Sequence, residues 1–566
     1  MLDDRRPLLF LPLAALIAIA PLLVHGCSCG HDFDFHIINW FEAAHQFAHG
    51  NFFPHWAATP AWNAGEPRFV FYPPLSWWIG SLLGLILPWT WTPIAYTWLA
   101  LTGAGLTLYY TARSFVSPNA ALIAATIYLT NPYTLYTAFE RSAYAELLAA
   151  AWMPLALYAV LKKRVTIPGV AIPVALLWLT NAPAAVMGSY AMALLIFIRI
   201  LMAVTPVGKS TISENCNESS SPPGSLALNS ALGALLGLGL ASFYLIPAAW
   251  ERRFVQINFA ILPGLRPWDN FLFQHTADPE HDKVLFTASI VAVVLIALTA
   301  LAFLWSYRVS TKSPNSSSLR RLRFTFLLLA LVISFMLTPW SIPLWRYLPE
   351  LRFLQFPWRL LAVLACIFGF TVATALPRIP RRASLCVILS AILLALPSYH
   401  FFHQYCYPED TIPERLAIFR SSNPGTDPTD EYTPTTADND SLNQGNPGYW
   451  LAPSPSASAP DSATPAPAPH SLELSPTTPA ALILNLRNYP AWRITRNGTV
   501  ITTLLHRKDG LIAIPLPAGP SRIEITYATL PDQWLGNLFS GLSLAALILL
   551  FRRRQHTAAS QNSPVI

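Results

Sequence analysis

Two carboxylates and two imidazoles occupy six consecutive positions of an otherwise apolar stretch. The carboxylates are Asp32 and Asp34, and the imidazoles are His31 and His36. If this run is helical, Asp32 and His36 lie four residues apart on one face, whereas Asp34 points away. Carboxylates and imidazoles are the side chains that most often exchange protons in catalysis, so we place the chemistry of the chain here. A solvated loop that caps a helix is the simpler alternative.

A second pair of charges, Arg141 and Glu146, lies between two apolar runs. The first run breaks at Asn131-Pro132-Tyr133, and the second begins at Leu147. Ionisable residues at the edge of apolar segments are costly unless they are paired or hydrated, which favours a functional role. The alternative is a structural Arg–Glu pair that holds two helices together.

A third motif is the string Gln355-Phe-Pro-Trp358-Arg359, which follows Arg352. The two arginines could clamp an anionic group in a two-pronged fashion, with Trp358 offering an apolar face. Arginines that extend from a helix end towards water would have a similar pattern. That alternative gives no reason for the glutamine at position 355.

The composition indicates the class of protein that carries these motifs. Of 566 residues, 53% are hydrophobic and only 11% are charged, against roughly 25% charged in soluble domains. Apolar runs of about 17 or more residues recur along the chain, long enough to cross a bilayer. The sequence therefore predicts a polytopic membrane protein. Its net charge of +7 indicates topology rather than nucleic-acid binding, because the basic residues concentrate in short loops.

Basic clusters such as Arg5-Arg6, Lys162-Lys163-Arg164 and Arg552-Arg553-Arg554 predict which loops face the cytoplasm. They place both termini inside and predict about twelve crossings. These lie near 8–25, 93–112, 119–133, 145–161, 166–182, 184–203, 226–247, 284–306, 323–340, 358–376, 383–401 and 534–551. The apolar piece 75–88 would invert every later basic loop if it crossed, so we predict a re-entrant or interfacial helix there.

The composition changes after residue 402. Pro, Ser, Thr, Asp and Asn dominate 403–479, which reads as a Pro/Ser-rich extracytoplasmic linker, and its low-complexity part 452–469 is not expected to fold. Short alternating strands then predict a small extracytoplasmic β-sandwich at 480–530, with a hairpin turn at Asn497-Gly498. The predicted division is a membrane domain at 1–402 with an outer loop at 26–74, then the linker, the β-domain, and a final span with a basic tail at 531–566.

Taken together, these motifs resemble the GT-C superfamily of polytopic glycosyltransferases, which includes oligosaccharyltransferases, protein mannosyltransferases and aminoarabinose transferases. The motifs that carry the resemblance are Gly30-His-Asp32 with His36, Phe71-Tyr-Pro-Pro-Leu75, Arg141 with Glu146, and Leu354-Gln-Phe-Pro-Trp-Arg359. They resemble most closely the bacterial membrane proteins labelled 6-pyruvoyl-tetrahydropterin synthase-related. The chain departs from the pattern in its long linker and in Asp34, a second carboxylate at the acidic position.

The resemblance implies transfer of a sugar from a polyprenyl-phosphate donor to an envelope acceptor on the outer face of a bacterial inner membrane. Asp32 is then the general base, with His36 orienting it and Asp34 in reserve. The donor would be bound by the remaining residues of the motifs, which are Arg141, Glu146, Arg352, Gln355, Trp358 and Arg359. The identity of the sugar and a role for a divalent cation stay open.

The competing class is a membrane protein without enzymatic activity, either a transporter or an accessory factor of envelope polysaccharide assembly. Transporters place charged residues near the bilayer midplane, whereas the charges of this chain lie in the connections between apolar runs. Its cysteines allow one outer bridge among Cys27, Cys29 and Cys406. Their spacing does not match a zinc pattern, so we expect no metal bound by these thiols.

Overall fold

The computed structural model describes residues 6–204, 222–310, 316–376, 381–460 and 464–561. Within these ranges the chain is mainly helical, with two small sheets towards its C-terminus. Of the basic residues used to predict topology, Arg5 lies outside the described residues, and the predicted orientation stays a prediction.

The helices follow the apolar runs of the sequence. They are α1 (Arg6–Ala18), α2 (Ala20–His25), α3 (Phe33–Ala48), α4 (Arg68–Phe71), α5 (Pro74–Ile86), α6 (Thr92–Ala112), α7 (Pro118–Leu129), α8 (Pro132–Phe139), α9 (Tyr144–Ala149), α10 (Met153–Leu161), α11 (Ile167–Thr180), α12 (Ala182–Val204), α13 (Pro223–Leu240), α14 (Ser242–Glu251), α15 (Pro279–Ser310), α16 (Ser316–Met336), α17 (Ile342–Tyr347), α18 (Leu361–Ala375), α19 (Arg381–Phe402), α20 (Ile412–Phe419) and α21 (Pro531–Gln561).

The chain is a multi-pass membrane protein, but the predicted number of crossings is not confirmed. Each predicted range lies on one helix or on two consecutive elements. In the described part of the chain, six helices are long and apolar enough to cross a membrane, or seven if the bent pair Leu319–Met336 and Pro339–Tyr347 counts as one span. Several other predicted crossings are split into shorter helices. The predicted interfacial piece 75–88 forms the short helix α5.

The break predicted at Asn131-Pro132-Tyr133 is present between α7 and α8. The side chain of Asn131 accepts hydrogen bonds from the backbone amides of Tyr133 and Thr134, at 3.0 and 3.1 Å. Pro132 lies at the first helical position, where its missing N–H is not needed. These two residues therefore end one helix and begin the next within three positions.

The strands form two antiparallel sheets. They are β1 (Tyr449–Ala452), β2 (Ser471–Leu474), β3 (Ala480–Arg487), β4 (Trp492–Arg496), β5 (Thr499–Val500), β6 (Leu511–Leu516) and β7 (Ser521–Tyr527). The sheet orders are β1-β3-β6 and β2-β7-β4-β5, and apolar side chains from both sheets share one core. The hairpin at Asn497-Gly498 is present between β4 and β5, with positive φ at both residues.

The predicted linker 403–479 contains α20, β1 and β2, whereas the described part of 453–469 has no helix or strand. β1 pairs with β3, and β2 pairs with β7, so the sheets recruit strands from before residue 480. Pairing with distant strands stabilises these short segments, and a local reading of proline and serine content does not detect such pairing. The strand that follows the Asn497-Gly498 hairpin covers only Thr499–Val500.

Glu251 joins the β-domain to the helix bundle. It is fully buried at the end of α14, and its two carboxyl oxygens accept hydrogen bonds from Tyr489 Oη at 2.5 Å and Gln533 Nε2 at 3.0 Å. Tyr489 lies between β3 and β4, and Gln533 lies in α21. Burial raises the pKa of Glu251 to about 7, and the neighbouring carboxyl of Asp532 also raises it.

We expect this joint to lose stability as the pH rises from about 4.5 to about 7. The folded-state pKa lies above the ordinary value of 4.5, so the folded protein binds more protons in this window and rising pH favours unfolding. Glu251→Gln should flatten this part of the pH dependence, measured as the midpoint of thermal unfolding between pH 4.5 and 8. Glu350→Gln, at an exposed ion pair with Arg252, is the matched control. An unchanged profile in Glu251→Gln would contradict the assignment.

Candidate functional site

The Gly30–Asp32 motif is fastened to the connection between α8 and α9. Asp32 donates its backbone N–H to the Arg141 carbonyl at 2.8 Å, and Gly30 donates to Ser142 Oγ at 3.1 Å. A Cβ atom on Gly30 would lie 2.3 Å from the backbone oxygen of Glu140, so only glycine fits this approach. The two motifs that the sequence placed 109 residues apart therefore form one unit.

The centre of the site is the Arg141 guanidinium. Its Nη1 lies 2.6 Å from Glu146 Oε2, and its Nη2 lies 3.2 Å from Asp32 Oδ2. The side chains of Arg141 and Glu146 are 5% and 3% exposed, whereas that of Asp32 is 39% exposed. The buried pair thus supports a carboxylate that solvent or a substrate can reach.

The two carboxylates keep Arg141 charged. Burial alone would lower its pKa, but Glu146 and Asp32 outweigh burial and raise the pKa well above its ordinary value. Breaking a buried pair by removing one partner leaves an uncompensated charge, which costs about 3–5 kcal/mol. Arg141 therefore depends on both carboxylates for its charge.

Arg359 brings the third motif to the same place. Its Nε lies 3.8 Å from Glu146 Oε2, and its Nη1 donates to the Leu354 carbonyl at 3.0 Å. The Nε atom is buried and has no hydrogen-bond partner among the residues that the structure describes. Its guanidinium also lies over the Phe356 ring, 5.0 Å from the ring centroid. Arg359 therefore holds an available donor beside the Arg141–Glu146 pair.

Gln355 and Trp358 support Arg359 from within the protein. Gln355 has a positive φ of 63°, which turns the chain between two short 3₁₀ helices, Leu351–Leu354 and Pro357–Leu360. Its amide oxygen accepts from Arg359 Nη1 at 3.4 Å, and its amide nitrogen donates to the Ala260 carbonyl at 2.8 Å. Trp358 is buried and stacks on Phe356, with ring centroids 4.5 Å apart.

The predicted clamp of Arg352 with Arg359 is not formed. Arg352 is exposed, and its guanidinium lies over the Phe353 ring at 4.9 Å. Arg359 points into the cluster instead. The left-handed turn at Gln355 separates the directions of the two side chains, which sequence spacing alone does not indicate.

His36 was predicted to orient Asp32. Its Nδ1 atom makes no hydrogen bond to Asp32, since this buried atom has no hydrogen-bond partner among the described residues. The imidazole is enclosed edge-on by Tyr72 and Tyr144, at centroid distances of 5.9 and 5.4 Å. Burial lowers the pKa of His36 to about 4, so the ring is neutral at pH 7. His36 packs beneath Asp32, one turn along α3.

Asp34 lies away from the Arg141 cluster, on the other face of α3. Its Oδ1 lies 2.8 Å from Arg415 Nε, and Arg415 also pairs with Asp410 at 2.8 Å. Burial raises the pKa of Asp34, although Arg415 opposes this effect. The structure therefore distinguishes the two carboxylates that the sequence left as alternatives, since Arg141 contacts Asp32 and Arg415 contacts Asp34.

Two contributors were missed by the sequence analysis. Tyr133 donates its hydroxyl to Glu146 Oε1, and Arg415 binds Asp34 from α20. Tyr133 directly follows the Asn-Pro break. Because Asn131 caps the helix that begins there, the direction of the Tyr133 side chain is fixed, and the break could have indicated this residue. Arg415 lies in the range read as a linker, where no local pattern indicates a partner.

A metal site fits poorly here. The sulfur atoms of Cys27, Cys29 and Cys406 lie within 4.8 Å of one another, which is the one such group found in the described residues. Cys29 and Cys406 form a disulfide, so two of the three sulfurs cannot act as thiolate ligands. At the Arg141 cluster the two carboxylates face a guanidinium rather than each other.

No protein-family model matches the sequence, and no curated protein matches it. The backbone is similar to three solved structures, all with low TM-scores. The mycobacterial arabinofuranosyltransferase AftD is 16% identical with a TM-score of 0.40, over 70% of this chain and 26% of AftD. The Archaeoglobus fulgidus oligosaccharyltransferase is 13% identical with a TM-score of 0.39, over 75% of this chain and 59% of that protein.

The third structure is ArnT from Cupriavidus metallidurans, determined with bound undecaprenyl phosphate. It is 14% identical with a TM-score of 0.27, over 65% of this chain and 76% of ArnT. The chain thus spans about a quarter of AftD and about three-fifths of the oligosaccharyltransferase. The pterin-synthase-related label has no counterpart among these structures. At these TM-scores the likeness carries no functional argument.

Gly30→Ala should disrupt the site, because its Cβ would collide with the Glu140 backbone oxygen, which cannot move like a flexible side chain. We expect a fall in thermal stability of about 1–3 kcal/mol, the range for overpacking a tight contact. Gly541→Ala is the control, because a Cβ there meets no atom within 4 Å. Equal unfolding midpoints for the two purified variants would show that the close approach is not required.

Proposed function

We propose that this chain is an integral membrane glycosyltransferase. It moves a sugar from a polyprenyl-phosphate donor to an envelope acceptor at the outer face of a bacterial inner membrane. The observation that carries the proposal is the partly exposed carboxylate of Asp32, supported by the buried Arg141–Glu146 pair with Arg359 beside it. This places one proton acceptor and two cations at the same end of the helix bundle.

Asp32 is the general base in this reaction. The acceptor hydroxyl attacks the sugar's anomeric carbon, its proton passes to Asp32, and the bond from that carbon to the phosphate oxygen breaks. Asp32 Oδ2 is engaged by Arg141, which leaves Oδ1 to receive the proton. Asp32 also begins α3, where its backbone N–H is fixed by Arg141, so the direction of the carboxylate is set.

Arg359 and Arg141 stabilise the departing polyprenyl phosphate. Negative charge grows on this group as its bond to the sugar breaks, and fixed cations in a water-poor site stabilise such charge strongly. Arg359 Nε is buried without a hydrogen-bond partner, so it can donate to a phosphate oxygen without first losing another bond. The exposed Arg352 has no place in this step, although it could meet the lipid at the surface.

The β-domain contacts the outer loop, because Arg487 of β3 donates its backbone N–H to the Ala64 carbonyl at 2.9 Å. Arg68 of α4 lies between Glu66 at 2.7 Å and Thr429 Oγ1 at 2.8 Å, so the outer loop and the segment before the sheets are joined by buried polar contacts. The strands themselves carry mostly apolar inward side chains. We therefore assign the domain to docking of the acceptor or to covering the site.

Asp32→Asn should reduce turnover by about a hundredfold or more, the usual scale for loss of a general base. The amide keeps the shape of the carboxylate but cannot take the acceptor's proton. The assay uses purified protein and a panel of polyprenyl-phosphate sugars, and follows release of the lipid phosphate. Donor binding should change little, since it depends on the arginines.

The matched control is Asp34→Asn, the same change two residues away. It removes a partly exposed ion pair with Arg415, worth about 1 kcal/mol or less, so the loss should stay below about tenfold. An Asp32→Asn protein with wild-type turnover would overturn the role of Asp32. If Asp34→Asn were inactive instead, the base would be Asp34. If no donor in the panel were consumed by the wild-type protein, the accessory-factor alternative would replace the enzyme.

Turnover should persist in EDTA. Three of the four oxygens of Asp32 and Glu146 already accept hydrogen bonds, from Arg141 and Tyr133. Divalent cations such as Mg²⁺ and Ca²⁺ need several free oxygen ligands. The same phosphate-release assay with and without chelator tests this point. Loss of activity in EDTA and its recovery on addition of Mg²⁺ or Mn²⁺ would contradict it.

A further inference from the structure

Tyr133 is the one partner of Glu146 that lies outside the motifs of the proposed reaction. Its hydroxyl donates to Glu146 Oε1, while Glu146 Oε2 accepts from Arg141 Nη1 at 2.6 Å. Both Tyr133 and Glu146 are buried, at 2% and 4% exposure. A single carboxylate thus connects a tyrosine hydroxyl on one side with the central arginine on the other.

The local sequence holds Tyr133 in this position. The Asn131 side chain accepts from the backbone N–H of Tyr133 and donates to Thr134 Oγ1 at 2.6 Å, which fixes the first turn of α8. The Tyr133 ring packs with Tyr136, with centroids 6.1 Å apart. The hydroxyl is therefore directed at Glu146 by a capped helix start rather than by a flexible segment.

We propose that Tyr133 is a positioning residue of the transferase, an inference that rests on the proposed function. Its hydroxyl holds Glu146 Oε1, which leaves Oε2 directed at Arg141 Nη1, while Arg141 Nη2 lies beside Asp32 Oδ2. Without this hydrogen bond the Glu146 side chain can turn, and Arg141 no longer holds the Asp32 carboxylate in one direction. A misaligned base takes the acceptor's proton more slowly.

Tyr133→Phe tests this role, because it removes one hydroxyl and keeps the ring. We expect turnover at pH 7 to fall by about ten- to a hundredfold, the effect of a lost hydrogen bond to a charged group. KM for the donor should change little, because Arg359 is untouched. The loss should therefore appear in kcat rather than in KM.

Tyr136→Phe is the matched control. It is the same change in the same helix at a fully buried tyrosine, whose hydroxyl donates only to the Val284 backbone oxygen at 3.4 Å. A purely structural effect would lower kcat to a similar extent in the two variants. A loss of kcat at unchanged KM in Tyr133→Phe alone would support the positioning role.

A double-variant cycle separates action through Glu146 from other effects. In a Glu146→Gln background, adding Tyr133→Phe should cause no further loss, because the carboxylate on which the hydroxyl acts is already absent. If Tyr133→Phe does not fold, a fluorinated tyrosine at position 133 keeps the shape and strengthens the donor. This variant should keep kcat near the wild-type value, and a loss of about tenfold or more would contradict the role.

The outcomes distinguish the inference from the proposed function. If the wild-type protein transfers sugar and Tyr133→Phe matches Tyr136→Phe in kcat and KM, the positioning role is overturned and the transferase stands. Additive losses in the double variant would also overturn it. If the wild-type protein releases no lipid phosphate from any donor, the proposed function fails and the inference fails with it.

Discussion

The sharing of one guanidinium between two carboxylates is the interaction on which the rest of the site depends. Arg141 is buried, so it requires negative partners, and it finds one that is buried and one that is partly exposed. Removing either carboxylate leaves the arginine attached to the other alone. The backbone contacts around Gly30, the cap at Asn131 and the turn at Gln355 all maintain this arrangement, since each one fixes the segment that carries a charge.

The motifs were detectable in the sequence because charged residues stand out in an apolar chain. Gly30–Asp32, Arg141 with Glu146, and Arg359 were each found as separate motifs, and the structure brings them together. Their convergence could not be predicted from spacing, because it depends on hydrogen bonds between segments more than a hundred residues apart. The side chains of Arg352 and Arg359 point in different directions because Gln355 has a positive φ. A glutamine in the sequence does not predict a positive φ.

The fold shows the same division between local and distant causes. The Asn497-Gly498 hairpin follows from two residues that tolerate positive φ, and it was predicted correctly. β1 and β2 were missed because they are held by pairing with β3 and β7. His36 was assigned a hydrogen bond on the basis of helical spacing. The rings of Tyr72 and Tyr144, which reach it from other elements, enclose it instead.

The Cys29–Cys406 disulfide can form only late in the synthesis of the chain. Cys29 is made 377 residues before its partner, so at about 5–20 residues per second it waits roughly 20–75 s as an unpaired thiol. Cys27 lies two positions away throughout this interval, so an oxidant that acts early can react with either thiol. Once the chain is folded, burial raises the pKa of Cys27 to about 11, which leaves almost no thiolate to attack the finished bridge. The segment that carries Asp32 is thus closed only after most of the protein has been translated, in a compartment oxidising enough to form the bond.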